Sequence, residues 1–307
     1  MMTQGVKESV IRLMTRLSIQ YNAVNLSQGF PNEPPPSRVR LALAHAVLSG
    51  NTYKNEDVVA QVTEKELSES LQNLLVNDNL HTKTDVLNQY SPPMGRVDVR
   101  QAVSNYYKRL YDYDVSEDDI TITLGATEAV ASALRSISSP GDKVTIFEPY
   151  HELYPSQCTL FYLEATYVTL KVRDGEWKYD YNELRDAISE SKAVILNSPH
   201  NPTGKVFTHN EMKEIVDLCI EHNTYIITDE IYEWMTYPDQ ENNPREHILI
   251  PQAFQEAKDL TLVCNSMGKS ASATGWRLGW CLHPPHLSDI YRVSWIACVY
   301  TAMHMLF

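Results

Sequence analysis

The sequence predicts an α/β domain built on a mostly parallel sheet with helices flanking it. From about residue 115 short β-rich runs alternate with amphipathic stretches, the pattern of repeated strand–helix units. Residues able to do chemistry gather just after those runs, where sheets of this kind place their sites. The 307 residues, 43% hydrophobic and 21% charged, suffice for one large domain with a sizeable core and a smaller appendage.

The expected strands are Ile120–Leu124, Val144–Glu148, Ala165–Leu170, Ala193–Asn197, Tyr225–Asp229, Leu260–Cys264 and Leu278–Leu282. Helices are expected between them at Thr127–Ile137, Tyr181–Ser189 and Glu211–Asn223. The region before residue 115 reads differently. Residues 51–87 are polar and read as a surface excursion, with one short helix expected around Glu64–Val76. From Trp295 to Phe307 the chain is apolar with no helix stop or polar tail, which reads as a core segment lacking its neighbours. The expected division is an N-terminal arm at 1–50, a polar insertion at 51–87, a large domain at 88–295 and a truncated segment at 296–307.

A net charge of −13, from 26 basic and 39 acidic residues, argues against nucleic-acid or anionic-membrane partners. It leaves room for an anionic cofactor, which local donors decide. Cys158, Cys219, Cys264, Cys281 and Cys298 are scattered, so the spacing suggests neither a metal site nor a disulfide framework. The N-terminus lacks the apolar core of a signal peptide, and no apolar run approaches the roughly 20 residues that span a bilayer. A cytoplasmic protein is expected.

The most specific string is Ser266-Met-Gly-Lys-Ser-Ala-Ser-Ala-Thr-Gly-Trp-Arg-Leu-Gly-Trp280. Its small residues leave the amine of Lys269 within reach of a carbonyl compound. Ser266 and Arg277 offer hydroxyl and guanidinium donors to an anion. Amine and phosphate grip together are what pyridoxal phosphate requires. The string resembles the lysine motif of class I aminotransferases of fold type I, most of all the kynurenine/glutamine aminotransferase branch that includes cysteine-S-conjugate β-lyases. That resemblance implies a pyridoxal-phosphate enzyme moving an amino group from an L-amino acid to a 2-oxo acid, with Lys269 as Schiff-base anchor and proton carrier.

Other segments fall in the family's order. Gly125-Ala126-Thr127 follows a strand and opens a helix, a place where free amides and the helix dipole favour an anion; the resemblance makes Ala126 and Thr127 its phosphate turn. In Glu148-Pro-Tyr-His-Glu-Leu-Tyr154 the resemblance puts the ring-stacking residue at His151, with Tyr150 as substitute. Asn197-Ser-Pro-His-Asn-Pro-Thr-Gly204 is a fixed turn whose Asn201 can offer an amide donor, and the resemblance implies that it touches the cofactor's phenolic oxygen and the substrate carboxylate. His200 stands where that branch commonly has asparagine, a difference that bears on substrate preference. Asp229 ends an apolar run, and a carboxylate there is costly unless paired; a pyridinium nitrogen would be its partner, with Tyr232 reaching the phenolic oxygen. Glu230 reads as structural, and a helix N-cap is the bland alternative for Asp229.

The resemblance also implies that Gly29 lines the substrate pocket and that Tyr90 reaches the phosphate of a partner subunit, which would make the protein a homodimer sharing its sites. The family's C-terminal arginine for the substrate carboxylate has no counterpart, and the small domain is expected to be incomplete. Two further readings stand beside the aminotransferase: a β-eliminating lyase using the same lysine and aspartate, and a truncated chain that binds cofactor without turnover.

Overall fold

The computed structural model describes residues 9–27, 29, 31–49, 63–76, 90–238 and 246–298. The chain forms two compact units, Met1–Asn32 with Ala133–Val263, and Glu33–Ser132 with Cys264–Phe307.

The first unit contains most of the parallel sheet. Its strands are β2 (Lys143–Glu148), β3 (Glu164–Thr169), β6 (Ala193–Asn197), β7 (Tyr225–Asp229) and the start of β8 (Thr261–Ser266). They lie in the order β8-β7-β6-β2-β3, and the β2–β3, β2–β6 and β6–β7 pairs are parallel. Every residue of β6 is buried, as expected of a strand covered on both faces. Phe147, Val168, Leu196, Phe207, Ile215 and Ile226 are among the residues of its core.

The helix Tyr181–Ser189 forms where the sequence predicts, with Asp180 Oδ1 accepting from the Asn182 and Glu183 amides. The next helix runs His209–His222, starting earlier than its apolar periodicity suggests because Thr208 and Glu211 close a capping box ahead of the apolar face. A hairpin that the strand pattern does not predict joins β4 (Lys171–Arg173) to β5 (Glu176–Lys178). Its signal is the Asp174-Gly175 pair, both at positive φ (54° and 79°), as a two-residue primed turn requires.

In the second unit β1 (Ile120–Thr123) pairs antiparallel with β9 (Gly279–Leu282), and the order is β1-β9-β8. The helix Val97–Tyr111 buries Tyr107, whose Oη accepts from Trp280 Nε1 at 3.1 Å. The helix Glu64–Val76 has the predicted bounds; the rest of the expected polar insertion falls largely outside the described residues. Thr63 and Glu66 cap that helix reciprocally, and Leu67 is its buried anchor. It packs on a helix the sequence reading leaves out, Ser37–Ser49, where His45 Nε2 lies 3.0 Å from Ser70 Oγ. The helices Val10–Gln20, Leu153–Leu160 and Ser288–Cys298 are likewise additions to the predicted set. The end of the apolar C-terminal run lies outside the described residues. Among the described residues no helix is long and apolar enough to cross a membrane.

Candidate active site

The residues singled out by sequence fall into two groups, one in each unit.

In the first unit the ends of β6 and β7 hold a connected polar cluster. Asp229 closes β7 and is only 6% exposed. Its Oδ2 accepts from Tyr154 Oη at 2.7 Å, and its Oδ1 accepts more weakly from the Ile231 amide at 3.5 Å. Burial pushes the carboxyl up to about 6, and those two hydrogen bonds only partly offset it. Turn residues rather than a helix follow Asp229, so the N-cap alternative does not hold. A buried acid held this way would be stabilised in its charged form by a cation, and the nitrogen of a pyridinium ring fits that need.

Asn201 Nδ2 donates to Tyr232 Oη at 3.2 Å, so the two residues expected at the ring oxygen are brought together. Burial pushes the Tyr232 phenol up, and the Asp229 charge adds to this, which keeps its proton on as a donor. His200 is packed inside its turn. It is 4% exposed, its Nδ1 lies 2.8 Å from Thr203 Oγ1, and it is hydrogen-bonded to the Phe147 backbone. Burial pulls its pKa down to about 4, so the ring is neutral within the turn. Glu230 is structural as expected, in a buried pair with His247 at 2.7 Å.

Of the two stacking candidates, Tyr150 lies against Tyr167, with ring centroids 5.2 Å apart. His151 instead lies 5.6 Å from the ring of Tyr154, the residue that hydrogen-bonds Asp229. The local geometry therefore favours His151.

The second group surrounds the start of the helix Ala126–Ile137. β8 ends at Ser266, whose Oγ caps the short helix Met267–Ser270 by accepting from the Gly268 amide at 3.4 Å. Lys269 sits on that helix, half-buried, and burial lowers its pKa, which enlarges its free-amine fraction. The Met267 amide donates to the Leu278 carbonyl at 3.1 Å, tying the lysine turn to the residue after Arg277.

Arg277 has φ 56°, in the left-handed region that a side chain seldom occupies. Its Nη1 donates to the Thr274 carbonyl at 3.0 Å and its Nη2 to the Leu124 carbonyl at 3.2 Å. The guanidinium is thus held beside Gly125, and a Cβ built on Gly125 would meet Arg277 Nη2 at 2.5 Å. Gly279 packs against the same turn; a Cβ there would come within 2.5 Å of the Gly125 carbonyl carbon. Two glycines therefore let arginine and helix start approach each other. The guanidinium of Arg277 thus lies beside the residue from which the helix with Ala126 and Thr127 at its start begins.

Sequence reasoning assigns no part to Tyr154, Asn197 or Gly279. All three lie inside segments it singles out, but the residues they meet, Asp229 for the first two and Gly125 for Gly279, are distant in the chain. Gly29 is exposed, and a Cβ there would meet nothing within 4 Å. Tyr90 is 91% exposed.

A mostly parallel sheet flanked by helices is the architecture of the transferases of fold type I. The chain belongs to the family Aminotransferase class I and II, which matches residues 24–300. It is 30% identical over 308 residues to kynurenine–oxoglutarate transaminase 3 of Rattus norvegicus, covering 97% of this chain and 59% of the relative. It is 37% identical over 207 residues to the probable kynurenine–oxoglutarate transaminase BNA3 of Saccharomyces cerevisiae, covering 64% of this chain and 45% of that one. The solved N-succinyldiaminopimelate aminotransferase of Mycobacterium tuberculosis superposes with a TM-score of 0.79 at 26% identity, covering 100% of this chain and 69% of the other. The chain thus spans less than two thirds of the curated relatives it matches.

Proposed function

We propose that this chain binds pyridoxal phosphate and transfers the amino group of an amino acid to a 2-oxo acid. The observation that supports this most is Asp229, a buried carboxylate set by Tyr154 at a strand end and raised to about 6 by burial, in a chain of the aminotransferase family. When bound, the protonated pyridine ring supplies an electron sink for the carbanion formed at the amino acid's Cα. Asp229 would hold the proton on the ring nitrogen, and His151 would cover the ring face. Asn201 and Tyr232 would donate to the ring oxygen, with Asn201 also meeting the substrate carboxylate and Gly29 lining its pocket. Ser266, Arg277, Ala126 and Thr127 would bind the phosphate. Lys269 would anchor the cofactor and, once its amine is released, carry a proton away from Cα.

We also propose a homodimer in which Tyr90 of each subunit reaches the other's phosphate; its exposure supports this. A cytoplasmic location is proposed on the spacing of the five cysteines in the sequence, which suggests no disulfide framework.

The test is the visible spectrum of the chain with pyridoxal phosphate, beside Lys269→Ala, before and after adding a panel of amino acids. An absorption band that needs Lys269, and is bleached by an amino acid with formation of its 2-oxo acid, is expected. Release of ammonia and pyruvate instead would mark a β-lyase. A band that no amino acid perturbs would overturn the transfer reading, and absence of any lysine-dependent band would overturn the cofactor reading as well.

A further inference from the structure

Asn197, the last residue of β6, is 2% exposed, and its side-chain amide is used at both ends. Nδ2 donates to the Asp229 carbonyl at 2.7 Å, and Oδ1 accepts from the Asn201 amide at 2.7 Å. Asn197 and Asp229 are register partners at the last rung of the β6–β7 ladder. At that rung the parallel ladder has no further residue to continue it, so the terminal backbone groups need another partner. Asn197 supplies it to Asp229 and, across the turn, to Asn201. The side chains of those two residues remain directed to Tyr154 Oη and Tyr232 Oη.

We propose that Asn197 is a positioning residue that couples Asp229 to Asn201 through their backbones, fixing the spacing between the carboxylate and the amide of this cluster. Its functional meaning rests on the pyridoxal-phosphate reading; its geometry does not. Asparagine suits the position because one short side chain offers a donor and an acceptor together. Leucine would fill the space but orphan two buried backbone groups, and aspartate, when ionised, would keep only the acceptor.

The test uses the full chain, with hydrogen exchange at the Asn201 amide and affinity for pyridoxal phosphate measured for wild type, Asn197→Ala and Asn197→Asp. Exchange should speed up about tenfold or more in Asn197→Ala and stay slow in Asn197→Asp, which retains the acceptor. Affinity should fall about tenfold in both at pH 8. It should recover in Asn197→Asp alone as pH is lowered, because the protonated carboxyl regains a donor for the Asp229 carbonyl. Each value is taken relative to wild type at the same pH, which removes the titration of Asp229 itself.

Unchanged exchange in a folded Asn197→Ala overturns the coupling. So does an affinity loss in Asn197→Asp that pH does not reverse, and that variant decides the matter if Asn197→Ala fails to fold. If no form, wild type included, binds the cofactor while exchange still accelerates in Asn197→Ala, the coupling stands and the cofactor reading falls.

Discussion

Asp229 shows how a single residue can work against the fold. Its carboxyl is raised from the ordinary 3.8 to about 6, mainly by burial. The folded chain therefore holds this proton more tightly than the unfolded chain does. Stability from this group is present below about pH 4, is lost as pH rises toward 6, and stays lost above it. Asp229→Asn keeps an acceptor for Tyr154 and removes the charge. Denaturant unfolding of the cofactor-free variant at pH 8 should show a gain of about 1–3 kcal/mol over wild type, shrinking toward pH 4. The same variant should bind pyridoxal phosphate more weakly, since the ring nitrogen loses its counter-charge. A variant less stable than wild type at pH 8 would show that the carboxylate already has a cation in the free chain.

Close backbone approach decides more than composition does among the elements. Gly125 sits at φ 85°, where a Cβ would be strained and would displace the guanidinium of Arg277, and a Cβ on Gly279 would meet the Gly125 backbone. Gly175 (φ 79°) has open space around it. Gly125→Ala and Gly279→Ala should each lower stability by about 2 kcal/mol and weaken cofactor affinity at least about tenfold, because the helix start and the guanidinium are pushed apart. Gly175→Ala should cost about 1 kcal/mol at its strained turn and leave affinity unchanged. Thermal melts with cofactor titrations separate the two behaviours, and equal affinity in all three would remove the glycines from the phosphate grip. A purely structural counterpart is Thr208, whose capping box begins the helix His209–His222. Thr208→Ala should cost about 1 kcal/mol in denaturant unfolding with cofactor affinity intact.

For the whole molecule, the proposed dimer makes a prediction that no monomer satisfies. If Tyr90 completes the partner subunit's site, Lys269→Ala and Tyr90→Ala fail on different subunits of the same site. Mixing the two inactive forms under conditions that exchange subunits should restore about a quarter of the sites, counted by the lysine-dependent absorption band. No recovery on mixing, with exchange verified by size, would mean that each site is built from one chain.

The sequence by itself determined the strand and helix alternation from β1 onward, the helix at Glu64–Val76, and the family. Buried strands, capped helices and a lysine among small residues are local patterns, written in consecutive letters. Asp229, Asn201, Tyr232, Ser266, Lys269 and Arg277 could be singled out for the same reason, each standing at or near a strand end in a recognisable string. The hairpin at Asp174-Gly175 was locally signalled as well, by its turn rather than by its short strands. Tertiary structure alone decided what those residues touch. Tyr154 meets Asp229, Asn197 bridges Asp229 and Asn201, and Gly279 presses on Gly125, all through pairings between residues far apart in the chain. The surroundings of His200 were decided in the same way, since what a turn histidine touches depends on what lies behind it, here Phe147 and Thr203. Periodicity reports which face of an element is buried, while the partner across the gap is set by how the buried faces come together.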